Sequence, residues 1–118
     1  MRGLRPILHS KGIPDATSVR ERAHGDALRY VGMVICRQRP GTASGVNFFT
    51  LEDETGFVNV VVWKRVFDEH AAIAKTAALL GVTGEIQKSE GVVHLVAKSL
   101  WVPDVAIAEQ TARSRDFH

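Results

Sequence analysis

Three short apolar runs that follow one another between residues 28 and 63 constrain the fold of this chain most. The runs are Leu28–Cys36, Val46–Leu51 and Phe57–Trp63. Each is rich in β-branched and aromatic residues, which favour strand over helix. The turn DETG at residues 53–56 separates the last two runs, and its glycine can supply the positive φ of a tight hairpin. This stretch therefore predicts a meander of three strands.

The first run is apolar on both of its alternating faces. A strand of this kind is expected to be central in a sheet and covered on both sides. Gly32 interrupts the run, and a glycine inside a strand often marks a bulge or a sharp bend. A bent first strand can serve two halves of a small barrel. The two faces carry Tyr30, Val34 and Cys36 on one side and Val31, Met33 and Ile35 on the other.

Helical periodicity follows the third strand. Apolar residues from Lys64 to Ala78 recur at helical spacing, which predicts a helix. We interpret His70, on the apolar stripe, as a packed histidine rather than a ligand. Two more strands, Leu79–Gln87 and Val92–Leu100, are expected around a tip at residues 88–91.

The order of three strands, a helix and a hairpin predicts the fold class. It is the order of the OB-fold, an all-β, five-stranded Greek-key barrel with a helix between strands 3 and 4. An SH3-like barrel would not place a helix of this length there. With 118 residues and 45% hydrophobic content, the chain has room for one domain.

The flanking segments complete the predicted organisation. Residues 1–26 form an N-terminal approach segment, in which Asp15 caps a short helix that runs through Ala23 and stops at Gly25. Residues 27–102 form the OB-fold domain. Residues 103–118 form a C-terminal tail, with a short helix over Val105–Ala112.

Composition limits the classes of function. The net charge is +2 and the sequence pI is near 9.0, which permits a polyanionic partner without requiring one. No apolar stretch approaches the roughly 20 residues that span a bilayer, and the N-terminus lacks an apolar signal core. We therefore expect a cytoplasmic protein with no membrane partner. Cys36 lies in an apolar run, where a buried, inert thiol is expected.

No catalytic or metal-binding motif is evident. The glycine-bearing loop at residues 41–45 lacks the Lys-Ser/Thr of a phosphate loop, and the histidines show no zinc spacing. Glu52, Asp53 and Glu54 fall at a hairpin turn, where we expect solvated carboxylates rather than a metal site. The sequence thus predicts no enzyme activity, no cofactor, no metal and no small-molecule substrate.

The remaining candidate is a binding surface. In an OB-fold, strands 2 and 3 and the loops that join strands 1 to 2 and 4 to 5 hold single-stranded nucleic acid. The first loop contributes Arg37 and Arg39, and the second contributes Lys88. At the start of the helix, Lys64 is a candidate, with Arg65 beside it, although a solvated helix start explains both.

Alternation along strands 2 and 3 adds further candidates. Phe48, Asn59 and Trp63 can face outward, and the two aromatic rings can stack on bases. For Phe48, stacking and core interpretations stand equal, because the adjacent Phe49 must point the opposite way. For Trp63, at a strand end, we favour a position in the core or against the helix.

Several sequence blocks resemble one known family. VICRQRPGTASGV, LEDETG, NVVVW and LLGVTGEIQ resemble the C-terminal OB domain of the bacterial error-prone DNA polymerase, a family C translesion enzyme related to the polymerase III α subunit. The resemblance runs from about Leu4 to the last residue. It implies DNA-damage-induced translesion synthesis beside a Y-family-like protein, a RecA-like accessory protein and the sliding clamp. The family's palm aspartates lie in a longer region that this chain lacks, which implies that this piece cannot polymerise.

Two functions remain open. The first is a module that binds single-stranded DNA, and the second is a docking module for other translesion-synthesis proteins. A related OB type binds tRNA anticodons, but the loop at residues 37–45 argues against it. The resemblance carries over binding candidates only: Arg37, Arg39, Phe48, Asn59 and Lys88.

Overall fold

A computed structural model of the chain describes residues 5–39 and 45–103 and contains a closed five-stranded barrel. Its strands hydrogen-bond in the order β1-β2-β3-β5-β4. The strands are β1 Ala27–Gln38, β2 Asn47–Asp53, β3 Gly56–Val62, β4 Leu79–Ser89 and β5 Val92–Trp101. The helices are α1 Arg5–Ser10, α2 Ala16–Glu21, α3 Lys64–Glu69 and α4 Ala71–Thr76. The predicted OB-fold, with helix between strands 3 and 4, is confirmed.

Strand β1 closes the barrel because it pairs with two different neighbours. Residues 27–33 pair with β4, and residues 33–38 pair with β2. The bulge in β1 lies between Val34 and Cys36 rather than at Gly32, so its predicted place is wrong. Gly32 instead leaves room for the Tyr30 ring, which a Cβ at Gly32 would approach to 2.9 Å.

The side of β1 that points away from the barrel core is covered only along its first half. Val31 is buried against Leu8 and Ile13 of the N-terminal segment, whose helix α1 the sequence analysis did not predict. Met33 and Ile35 further along are 40% and 54% exposed. The prediction of a strand covered on both sides is wrong for this second half, because the N-terminal segment packs on the first half alone.

The predicted helix after β3 is two short helices. They meet at His70, whose backbone leaves the helical region at φ −125° and ψ 32°. Its N–H still donates to the carbonyl oxygens of Val66 and Phe67, both at 3.2 Å. The Phe67 ring packs edge to face on Phe49, with centroids 6.3 Å apart, so α3 seals this end of the barrel.

Helix α2 begins where the sequence predicts. The Asp15 carboxylate accepts a hydrogen bond of 2.9 Å from the N–H of Ser18, which confirms the predicted N-cap. The helix ends at Glu21 with Arg22 as its C-cap, earlier than the predicted extent through Ala23.

A buried carboxylate ties α2 to the barrel. Asp53 is only 6% exposed, and its Oδ2 accepts hydrogen bonds from Ala16 N–H at 2.8 Å and from the Tyr30 hydroxyl at 3.2 Å. Its Oδ1 accepts from the N–H and hydroxyl of Thr55 at 2.8 and 2.7 Å. The prediction of solvated turn carboxylates is therefore wrong for Asp53, because the start of α2 covers it, whereas Glu52 and Glu54 are exposed.

Some predicted features lie outside the described residues. They are the middle of the loop between β1 and β2, at residues 40–44, and the helix at residues 105–112 of the C-terminal tail. The division at residues 26/27 and 102/103 stays a prediction. Across residues 5–39 and 45–103, no helix is long and apolar enough to cross a membrane.

Val60 and Leu95 lie opposite each other where β3 and β5 pair in parallel, and both are fully buried, as predicted from alternation. Truncating either to Ala should lower the free energy of unfolding by about 2–4 kcal/mol, because it removes buried methyl groups and leaves a cavity. Urea unfolding measures this change. Val92→Ala, at a 44% exposed position, is the control and should change stability by less than about 0.5 kcal/mol; equal effects at all three positions would contradict the core assignment.

Candidate nucleic-acid interface

The pairing register of β2 and β3 defines an outer face. Phe48 lies opposite Val61, and Thr50 lies opposite Asn59. Phe49, between Phe48 and Thr50, is 2% exposed and occupies the core, so Phe48 points outward and is half-buried. The core interpretation of Phe48 is therefore excluded. Its side chain points outward, as stacking on a base requires.

The same face extends over β5 and past the end of β3. Asn59 lies beside His94, and Val61 lies beside Val96. Trp63 follows β3 as the N-cap residue of α3 and is 48% exposed. Trp63 therefore lies outside the core, because Val62 takes the last inward position of β3, and its packing against the helix stays a prediction. We call this surface the outer face. It comprises the outward residues of β3 from Phe57 to Val61, their neighbours on β2 and β5, and Trp63 just after β3.

One end of the outer face carries a cleft of about 220 Å³ beside the β4–β5 tip. The Arg20 guanidinium, from α2, lies 5.8 Å from the centre of the Phe57 ring, which is 46% exposed. Sequence reasoning missed Arg20 because only the packing of α2 on β3 brings it there. The lining residues are Arg20, Phe57, Val58, Asn59, Gly91, Val92 and Val93.

Arg37 occupies a structural position at the opposite end of the barrel. Its Nε donates to the Ala74 carbonyl at 2.8 Å, and a terminal nitrogen donates to the Ala77 carbonyl at 2.5 Å. The last carbonyls of a helix have no partners within it, so Arg37 caps α4. Its guanidinium also lies 5.7 Å from the centre of the Phe49 ring.

Arg39 lies near Arg37 at the rim of a second pocket. Its Nε donates to Asn47 Oδ1 at 3.1 Å, and its guanidinium lies 5.0 Å from the centre of the Phe67 ring. We call this cavity of about 280 Å³ the end pocket. Its lining includes Lys75 of α4, a cation that sequence reasoning missed. The lining residues are Arg37, Gln38, Arg39, Asn47, Phe49, Phe67 and Lys75.

The remaining predicted cations lie on exposed surface. Lys64 forms an ion pair with Asp68 at 2.5 Å, and Arg65 forms one with Glu69 at 3.4 Å. A Cβ on Gly45 would come within 3.1 Å of the Lys64 side chain, so Lys64 lies against the end of the β1–β2 loop.

Lys88 lies two residues before the tip between β4 and β5. Its N–H donates to His24 Nδ1 at 2.9 Å, and the residue is exposed.

Among the predicted residues, Phe48 and Asn59 share the outer face, with Trp63 at one end. The two arginines instead line the end pocket.

The cap that Arg37 provides generates a stability prediction. Arg37→Ala should lower the free energy of unfolding by about 1–2 kcal/mol, because two helix-terminal carbonyls lose a charged donor. Thermal or urea unfolding measures the loss. Arg65→Ala removes the same charge from an exposed i,i+4 pair and should change stability by less than about 0.5 kcal/mol. Equal stability of the two variants would show that Arg37 is no cap.

The chain is similar to known proteins both in sequence and in fold. Residues 29–103 match the family described as OB-fold nucleic acid binding domain. Among solved structures, asparaginyl-tRNA synthetase from Pyrococcus horikoshii superposes with a TM-score of 0.65 at 26% identity, over 77% of this chain and 22% of that one.

Two curated relatives carry the name error-prone DNA polymerase. The Brucella abortus protein is 41% identical over 93% of this chain and 10% of its own length. The Rhodopseudomonas palustris protein is 48% identical over 85% of this chain and 9% of its own length. The chain thus spans about a tenth of these relatives, and the resemblance found in the sequence is confirmed. Through residues 29–103, the chain belongs to the family of OB-fold nucleic acid binding domains.

Proposed function

We propose that this domain binds single-stranded DNA along its outer face. One observation carries the proposal: Phe48 and Trp63 are two aromatic side chains that the core does not contain, and both lie along the face that OB-folds use for nucleic acid. Aromatic platforms bind bases of any sequence because every base has a π face. Stacking of this kind requires unpaired bases, so the expected ligand is single-stranded.

The dimensions and charges of the face suit a short strand. Trp63 lies six residue steps beyond Phe57, and at about 3.3 Å per step the face is about 20 Å long. Arg20 and Lys88 lie near one end and Lys64 at the other, where they can contact phosphates. Between them, the Asn59 amide has donors and an acceptor for a base edge.

The wider role rests on the likeness to error-prone DNA polymerases. In such a protein, this domain would hold template strand during translesion synthesis after DNA damage, while the polymerase chemistry takes place in another region. The domain itself would be non-catalytic and would work in the cytoplasm, close to other translesion-synthesis proteins.

A second candidate function is docking of one of those accessory proteins. Met33 and Ile35 favour it, because both are large apolar residues exposed side by side on the uncovered half of β1. Met33 lies opposite Glu52, and Glu52 lies opposite Phe57, so this patch adjoins the outer face. Substitutions of Met33 and Ile35 leave Phe48 and Trp63 in place and therefore test docking on their own.

Titration of a fluorescent oligo-dT with the domain at two salt concentrations tests DNA binding. We expect measurable affinity that falls as salt rises, because each phosphate contact releases about 0.7 counterions from a single strand. No detectable binding at low salt would refute the DNA-binding role of this domain and favour protein docking.

Substitutions separate stacking from charge. Phe48→Ala and Trp63→Ala should each weaken oligo-dT binding by about 1–3 kcal/mol and leave the salt slope nearly unchanged, because they remove stacking and no charge. Val102→Ala, which truncates a 53% exposed apolar side chain just after β5, is the matched control and should bind normally. Unfolding midpoints must be measured in parallel. Full affinity in both aromatic variants would contradict the proposed face.

A further inference from the structure

The end pocket concentrates positive charge from three side chains. Arg37, Arg39 and Lys75 all line it, and among the residues the structure describes none of the three pairs with a carboxylate. By contrast, Lys64 and Arg65 on the neighbouring α3 are each paired with a carboxylate one turn along the helix. Uncompensated cations in a concave site favour an anionic ligand.

Two of these cations are held in place before any ligand arrives. The Arg39 guanidinium lies over the Phe67 ring and is hydrogen-bonded to Asn47, while Arg37 is fixed by the carbonyls of α4. An arginine has five N–H donors, so both retain donors for a ligand. Groups already oriented lose less entropy on binding. Lys75 adds a compact charge at the end of α4.

The position of the end pocket connects it to the outer face. Asn47 lines the pocket, and the next residue, Phe48, lies on the outer face. Gln38 also lines the pocket and lies directly opposite Phe48, and opposed residues share one side of a sheet, so a strand whose base stacks on Phe48 passes beside the pocket rim. A pocket for a separate small anion would not need to lie beside the outer face.

We propose that the end pocket binds a backbone phosphate of the strand that lies on the outer face. Arg39 and Lys75 are the contacting cations, and Arg37 is a positioning residue that caps α4, the helix that carries Lys75. This inference rests on the proposed function, because the phosphate belongs to the same DNA strand. It adds a division of labour, in which the outer face binds bases and the end pocket anchors the backbone.

Heteronuclear NMR of the whole chain tests the proposal, with oligo-dT and inorganic phosphate as separate probes. Oligo-dT should shift the Arg39 Nε–H signal together with the outer-face amides. Lys75→Ala should weaken oligo-dT binding about tenfold and reduce the salt slope by about 0.7, as expected for one lost phosphate contact. Lys75 is exposed on a helix, where alanine is well tolerated, so the variant should fold.

Lys11→Ala is the matched control, because Lys11 is an exposed lysine between α1 and α2 and lines neither the end pocket nor the cleft on the outer face. It should leave affinity and slope unchanged, and equal losses in the two lysine variants would overturn the inference. Oligo-dT that shifts the outer face but not Arg39 would overturn it while the proposed function stands. If oligo-dT shifts no signal and inorganic phosphate alone shifts Arg39, both proposals are wrong and the pocket serves a free anion.

Discussion

The double pairing of β1 is the constraint on which the rest of the structure depends. Its first half hydrogen-bonds to β4 and its second half to β2, so the sheet has no free edge where these strands meet. The bulge between Val34 and Cys36 lets one strand turn between the two partners. Once this closure is fixed, the register of β2 on β1 decides which side chains enter the core.

That register separates core residues from outward-facing residues. It sends Phe49 inward to meet Phe67 and leaves Phe48 outside, although the two are neighbours in the chain. It also ends β1 where Arg37 reaches the last carbonyls of α4. The proposed interface thus follows from core formation, since the side chains that the barrel core does not contain are those that face outward.

Alternation within one strand was enough to predict the inward Val60 and Leu95 and the opposed directions of Phe48 and Phe49. The sequence did not determine whether the Trp63 side chain points inward or outward, because the last position before a helix can follow either the strand or the helix periodicity. Asp53 was read as solvated, since its partner Ala16 lies 37 residues away in sequence and nothing local marks the contact.

The same limit applies to the cations beyond the strands. Arg20 and Lys75 reach the two ends of the barrel only through the packing of α2 and α4, which no spacing rule reveals. Arg37 was predicted in the loop after strand 1, but it lies in β1, which runs to Gln38, and its hydrogen bonds to α4 give it a structural role.

Stacking of bases on the outer face can be measured through the fluorescence of Trp63. The chain has two tryptophans, and Trp101 lies elsewhere, with its indole N–H donating to Thr83 at 3.0 Å. In a Trp101→Phe variant, Trp63 becomes the sole reporter. The account predicts that saturating oligo-dT quenches this emission. Unchanged emission, while anisotropy of a labelled oligo-dT reports full binding, would contradict it.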